Sequence, residues 1–118
     1  MNRLATRTDV FGLIADEELI GCMQIVTHEM HVEIRQLHTR PDSRYDVPNR
    51  RFGGVGRALL VVARSISLDS GHEGCMSVRS TTEAAPFYER MHFEGNHLYL
   101  ILDDLESQML QDDYENAG

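Results

Sequence analysis

The chain has no lysine and no tryptophan, only two cysteines and three prolines, and no apolar run approaching the ~20 residues a membrane-spanning helix requires. Each shortage excludes something. Without lysine, a phosphate loop of the G-x-x-x-x-G-K-[ST] kind cannot form, because its lysine is the residue that reaches the terminal phosphates. Cys22 and Cys75 lie in apolar, strand-like runs, lack the close Cys or His spacing of zinc sites, and read as buried reduced thiols. The amino-terminal MNRLATRTD has no apolar stretch of the signal-peptide kind. A chain of 118 residues with 42% hydrophobic content is then expected to make one domain over residues 1–118 with one modest core, soluble and cytoplasmic, with no membrane partner.

Charge is unevenly distributed. The net charge of −8 argues against a nucleic-acid partner, whose binding depends on neutralising phosphates. Yet all eleven basic residues are arginine, and Arg40, Arg44, Arg50, Arg51 and Arg57 fall within residues 40–57. At the other extreme, residues 104–118 follow the core (about 10–103) as an acidic tail with no basic residue, which reads as a solvated or frayed end carrying at best a loose helix over 105–114.

Periodicity divides the remainder. Val10–Ala15 and Leu19–Thr27, separated by a polar turn, read as an antiparallel hairpin, and His31–Thr39 as a third strand. In that strand Val32 and Ile34 alternate, but the next apolar residue is Leu37. Side chains change face with a period of two, so keeping Leu37 in the core requires one extra residue, a β-bulge between 34 and 37 that turns backbone groups outward. Residues 40–53 form a long loop. Val55, Leu59, Val62, Ala63 and Ile66 recur at helical spacing until Gly71, Glu73–Arg79 suits a short strand, and Ala84, Phe87, Tyr88 and Met91 share a second helical stripe. Ser80 with Glu83 suggests a capping box, but Pro86 tolerates only a first turn and predicts a start near residues 82–84. His97–Leu102 reads as the last strand. This order predicts an α+β fold whose central sheet is mixed and mainly antiparallel, with one parallel βαβ crossover.

The stretch Arg51-Phe52-Gly53-Gly54-Val55-Gly56-Arg57 sits where that topology changes, a favoured place for ligands. Glycines let a backbone approach a ligand closely, a helix entrance offers unbonded N–H groups, and arginines add full charges. The segment therefore suits a phosphate or diphosphate. It is not the dinucleotide fingerprint G-x-G-x-x-G, whose third glycine falls on Leu59. A plain turn before a helix is the other reading of these glycines.

Three motifs together resemble the GNAT superfamily of acetyl-CoA-dependent N-acyltransferases. Arg51-x-x-Gly54-x-Gly56 is similar to its diphosphate loop R/Q-x-x-G-x-G/A, LHTRPDSR at 37–44 to the ending of its fourth strand, and Ala84-Ala85-Pro86-Phe87-Tyr88-Glu89-Arg90-Met91-His92-Phe93 to its A-x-x-F-Y-E-K-x-G-F signature. The resemblance implies a GNAT-like fold, acetyl-CoA as co-substrate, no metal, and direct acetyl transfer to a primary amine of a small molecule or protein. A non-catalytic acyl-CoA-binding regulatory module is the alternative. It also implies roles. Backbone groups at Leu37, His38 and Thr39 would meet the pantetheine arm and thioester; Arg51, Phe52, Gly53, Gly54, Val55, Gly56 and Arg57 would hold the diphosphate, with Arg44 competing with Arg51 for one contact. Tyr88 would protonate the departing thiolate, or merely pack on the sheet. Glu33 would deprotonate the amine, or simply be the polar residue an alternating strand places there. His38 could equally act as a base or face outward, and His28-x-x-His31-x-Glu33 reads as a hairpin end more readily than as a metal site.

The chain departs from the family pattern in several places. The residues before Val10 do not supply the strand and two helices that usually form one wall of the acceptor site, and a homodimer is expected to cover the sheet edge this leaves. His92 replaces a glycine, Thr81 stands where asparagine is common, and the last two strands are compressed into FEGNHLYLIL.

Overall fold

A computed structural model describes residues 7–41 and 54–116. Strands β1 (Arg7–Ala15) and β2 (Glu18–Thr27) form the expected hairpin. Its turn residues Asp16 and Glu17 both have positive φ, 52° and 65°, the mirror-image turn whose twist matches that of the flanking strands. β3 (Val32–Thr39) pairs antiparallel with β2, and its register steps from Gln36 opposite Gln24 to Ile34 opposite Ile25. Arg35 is the extra residue, so the bulge lies where the phase change required it. Leu37 thereby returns to the core side, opposite fully buried Met23.

Helix α1 (Val55–Asp69) crosses from β3 to β4 (Met76–Arg79), and these two strands form the parallel pair of the sheet. There follow α2 (Ala85–Arg90), β5 (Glu94–Asn96), β6 (Tyr99–Leu102) and α3 (Asp104–Asn116). Among the described residues the sheet order is β1-β2-β3-β4-β6-β5, a mixed six-stranded sheet in an α+β fold. α1 packs on β2, β3 and β4, burying Val55, Leu59, Leu60 and Ala63 against Met23, Ile25, Val32, Ile34, Met76 and Val78. Each of these side chains except that of Ala63 contributes roughly 1.5–3 kcal/mol by leaving water.

Local detail departs from the sequence reading in four places. The last strand is a hairpin: His97 and Leu98, at φ 52° and 67°, turn β5 into β6. The pair falls within FEGNHLYLIL, where the family resemblance compresses the last two strands, but the strand read over His97–Leu102 begins at Tyr99. β4 begins at Met76, because Glu73 and Gly74, at φ 61° and 85°, form a turn. The Ser80–Glu83 capping box does not form, since the Ser80 N–H goes to the Leu98 carbonyl at 2.7 Å, while Thr81 Oγ1 accepts from the Ala84 N–H at 3.1 Å. α2 therefore starts at Ala85 with Pro86 in its first turn, as the proline demanded.

The acidic tail is the fourth correction. Instead of a solvated end, residues 104–116 form α3, packed on α1 with Ser107 and Leu110 fully buried. Arg64 of α1 binds it, donating from Nε to Ser107 Oγ at 2.9 Å, from Nη2 to Gln108 Oε1 at 3.0 Å and from Nη1 to Gln111 Oε1 at 3.3 Å. A buried guanidinium is tolerated only when its N–H groups find acceptors, and α3 supplies them. Leu110→Ala is expected to lower the unfolding free energy by about 2–4 kcal/mol in urea denaturation, whereas a solvated helix would show less than about 0.5 kcal/mol.

Candidate functional site

Only the first part of β3 pairs with β4. Beyond Ile34 the two parallel strands separate, while Gln36–Thr39 keep their partners on β2. The Val32 N–H points toward β4, bonding the Cys75 carbonyl, whereas the Arg40 N–H points the other way, to the Ile20 carbonyl. Backbone groups alternate in direction along a strand, so an unbulged strand would aim residues 32 and 40 at the same neighbour. The extra residue at Arg35 reverses the parity. It turns the N–H and C=O of Leu37 and Thr39 into the gap left by β4.

The entrance of α1 faces the same gap. Gly54 caps the helix in the left-handed region at φ 73°, ψ 16°, without a side-chain cap, and is exposed with open space around it. The first helical bond runs from the Ala58 N–H to the Gly54 carbonyl at 2.9 Å. The N–H groups of Val55, Gly56 and Arg57 precede it and have no protein acceptor among the described residues. They carry the positive end of the helix dipole. The Val55 side chain itself is core, so its contribution to a site is its backbone.

Between these elements lies a cavity of about 310 Å³. The end of β3 lines it with Leu37, His38 and Thr39, α1 with Gly56, and α2 with Phe87 and Tyr88, preceded by Thr81 and Glu83. Four residues expected at a cofactor and one expected catalytic residue, Leu37, His38, Thr39, Gly56 and Tyr88, are thus brought to one place. Gly54 and Arg57 occupy the adjoining turn, where Arg57 Nε is buried without a partner among the described residues. Arg44, Arg51, Phe52 and Gly53 lie outside the described residues.

Gly56 has a further reason to lack a side chain. A Cβ there would stand 2.7 Å from Phe87 Cζ, closer than any real contact allows, so the bare first turn of α1 is also where α2 docks. Phe87 read as a core-stripe residue in the sequence, Glu83 as a capping partner of Ser80, and Thr81 as the residue standing where the family commonly has asparagine. That all three line the cavity follows from the contact between α1 and α2, which no local pattern encodes.

Tyr88 is buried, edge-on to Phe87 (ring centroids 5.1 Å) and to Phe93 (5.4 Å). Burial alone pushes its phenol up to about 12, so it holds its proton throughout the neutral range.

Glu33 is not brought to the cavity. It lies on the paired part of β3, where its carboxylate meets His28 Nε2 at 2.7 Å and Arg35 Nε at 3.2 Å. Burial pushes its carboxyl up, but the His28 hydrogen bond and the Arg35 charge outweigh that and hold it below the usual carboxylate range. His28 and His31 stack at 5.0 Å, and burial followed by the nearby His28 lowers the His31 imidazole. Among the described residues no group of three or more His, Cys, Asp or Glu side chains is placed to hold a metal ion. Cys22 and Cys75 are free and half-buried.

No protein-family model matches the chain, and no curated protein matches it by sequence. By structure it is similar to the PaiA N-acetyltransferase from Thermoplasma acidophilum, solved in complex with coenzyme A, at a TM-score of 0.60 and 21% identity over 80% of this chain. The chain spans 58% of that protein's length. The likeness establishes the fold, which is GNAT-like.

Proposed function

We propose that this chain binds acetyl-CoA and transfers its acetyl group directly to a primary amine. The observation that carries the reading is the gap between β3 and β4, faced on one side by the redirected backbone of Leu37 and Thr39 and on the other by the amides of Val55, Gly56 and Arg57, which have no acceptor among the described residues. An extended amide-bearing arm suits the first, and a diphosphate the second. The Thermoplasma acidophilum neighbour, an N-acetyltransferase with coenzyme A bound, supports the reading that this chain binds an acyl-CoA.

In this reading Gly54, Val55, Gly56 and Arg57 hold the diphosphate, together with Arg51, Phe52 and Gly53, which precede them in sequence. The thioester carbonyl lies against backbone N–H groups at Leu37 and Thr39, which stabilise the oxyanion as the amine adds. Tyr88 donates to the sulfur as the C–S bond breaks. Cofactor and acceptor sites use no metal.

Acetyl-CoA at one hundred times its Kd is expected to stabilise the protein by ~2.7 kcal/mol, raising Tm by about 10 °C. No thermal shift, together with a native mass free of CoA, overturns the reading. Binding without turnover of any primary amine selects the non-catalytic acyl-CoA-binding module instead.

We also propose a homodimer, in which a second copy covers β1. That strand lies at the sheet edge, with Val10 70% and Ile14 67% exposed. Light scattering is expected to give twice the chain mass, and a monomer at high concentration removes the proposal.

A further inference from the structure

At the end of β3 where its pairing with β4 begins, away from the cavity, three histidines from two turns meet one carboxylate. The β2–β3 turn brings His28 and His31, whose rings stack at 5.0 Å with 24° between their planes. The His28 N–H closes that turn on the His31 carbonyl at 2.9 Å. The turn between α1 and β4 brings His72, whose Nε2 meets the His28 carbonyl at 2.9 Å. His72 is itself held in place, its N–H on the Ser67 carbonyl at 2.8 Å and its carbonyl on the Cys75 N–H at 3.0 Å. The two turns are joined again where the Val32 N–H meets the Cys75 carbonyl at 3.2 Å, at the start of a parallel seam of three residue pairs.

The hydrogen bonds decide which ring cannot take a charge. A carbonyl and a carboxylate accept only, so Nε2 of His72 and Nε2 of His28 both carry a proton whether the rings are neutral or cationic. A second proton on either ring leaves its bond in place. His31 differs, because its half-buried ring makes no hydrogen bond among the described residues. The titratable groups that face it are His28 on its own turn, Glu33 on β3 and His72 on the turn after α1. Glu33 alone opposes a positive charge there, and its carboxylate is already engaged by His28 and by Arg35.

We propose that His31 is a proton-operated latch, whose protonation in mild acid parts the β2–β3 turn from the α1–β4 turn while the rest of the sheet stays folded. The inference goes beyond the acetyltransferase reading and does not rest on it. Burial first, then His28 and His72 against the pull of Glu33, lowers the His31 imidazole from the usual 6.5, so the opened turn takes up the proton before the closed one does. The contribution of the latch is whole above about pH 6.5 and is lost as pH falls from there toward the folded value. Glu33 occupies a separate window. Its carboxyl is held below the ordinary 4.5, so its contribution is lost only as pH falls below that value. Opening starts at the closed end of the β3–β4 seam, three residue pairs from the point where the strands separate into the cleft.

The test follows amide hydrogen exchange in the full chain between about pH 5 and 7.5, corrected for intrinsic exchange, with the His31 imidazole titrated by NMR. The opening constants of the His28, His72 and Cys75 amides are expected to rise about threefold or more across that range as pH falls, with opening free energies below the global value from urea denaturation. His31→Phe keeps a ring on His28 but has no site for a proton, and is expected to remove the rise. Glu33→Gln is expected to move the His31 midpoint further down, since Glu33 is the group that favours its charge. If His31→Phe fails to fold, the wild-type titration and the Glu33→Gln shift decide. A His31 midpoint at or above 6.5, the same rise in a folded His31→Phe, or reporter amides that open only with global unfolding overturns the proposal.

Discussion

Gly56→Glu is expected to abolish acetyl-CoA binding, raising Kd at least ~1000-fold, because it places a carboxylate beside the amides that would receive a diphosphate and puts bulk where none fits. Two effects are combined in that variant, and the geometry separates them. Any Cβ at position 56 lies 2.7 Å from Phe87 Cζ and 3.0 Å from Cε1, so the ring must move. Phe87 is largely buried and lines the cavity, so its movement costs stability and distorts the site. Gly56→Ala isolates this steric part. Alanine is the better helix former by ~1 kcal/mol, yet overpacking costs about 1–3 kcal/mol, so a net loss of about 1 kcal/mol in urea denaturation is expected. Combining it with Phe87→Leu, which removes the obstructing ring edge, is expected to cancel the added cost of the alanine. By contrast, Gly54→Ala meets no atom within 4 Å, and its cost is conformational alone, ~1–2 kcal/mol for a side chain held at φ 73°. If Gly56→Glu binds acetyl-CoA as wild type does, the helix entrance is not the diphosphate site.

The features of the cleft that could be read from the sequence were those governed by period. The phase change at Leu37 located the bulge at Arg35 to within a residue, and with it the backbone redirected at Leu37 and Thr39, because a face-alternation rule permits no other solution. Pro86 fixed the start of α2 for the same kind of reason, a missing N–H. What escaped were contacts between distant segments and turns without the usual residues. The docking of Phe87 on Gly56 joins residues far apart in sequence, and the burial of Ser107 and Leu110 depends on Arg64 needing acceptors, so an acidic, weakly periodic stretch hid a packed helix. His97-Leu98 turns a hairpin with two left-handed residues, neither of them glycine or asparagine. His92, at φ 78°, likewise keeps the left-handed backbone for which the family pattern uses glycine, its ring bonded to Asp113 at 2.7 Å.

Tyr88→Phe is expected to lower kcat about 100-fold while leaving acetyl-CoA Kd within about threefold, since only the hydroxyl is removed and both edge-on ring contacts remain. The phenol's burial decides how it acts. With its pKa pushed up to about 12, it is a weaker acid than a thiol of ~8.5, so outright transfer to a thiolate runs uphill by ~5 kcal/mol. In the proposed reaction Tyr88 would therefore act as a hydrogen-bond donor to the sulfur as charge develops, passing its proton only in concert with regaining one from the nitrogen. Two consequences can be measured. The activity profile is expected to show no basic limb from this group below about pH 11, because the donor is still protonated there. Stability should behave differently on the alkaline side. The folded pKa exceeds the unfolded value of ~10, so the folded state retains a proton the unfolded chain gives up; the contribution of up to about 2–3 kcal/mol is fully present below pH ~10 and is lost as pH rises toward 12. Tyr88→Phe should flatten that part of the stability curve in urea denaturation between pH 9 and 12. A variant whose kcat matches wild type, with the alkaline loss of stability removed, would assign Tyr88 to packing alone and leave the departing sulfur to be protonated by solvent.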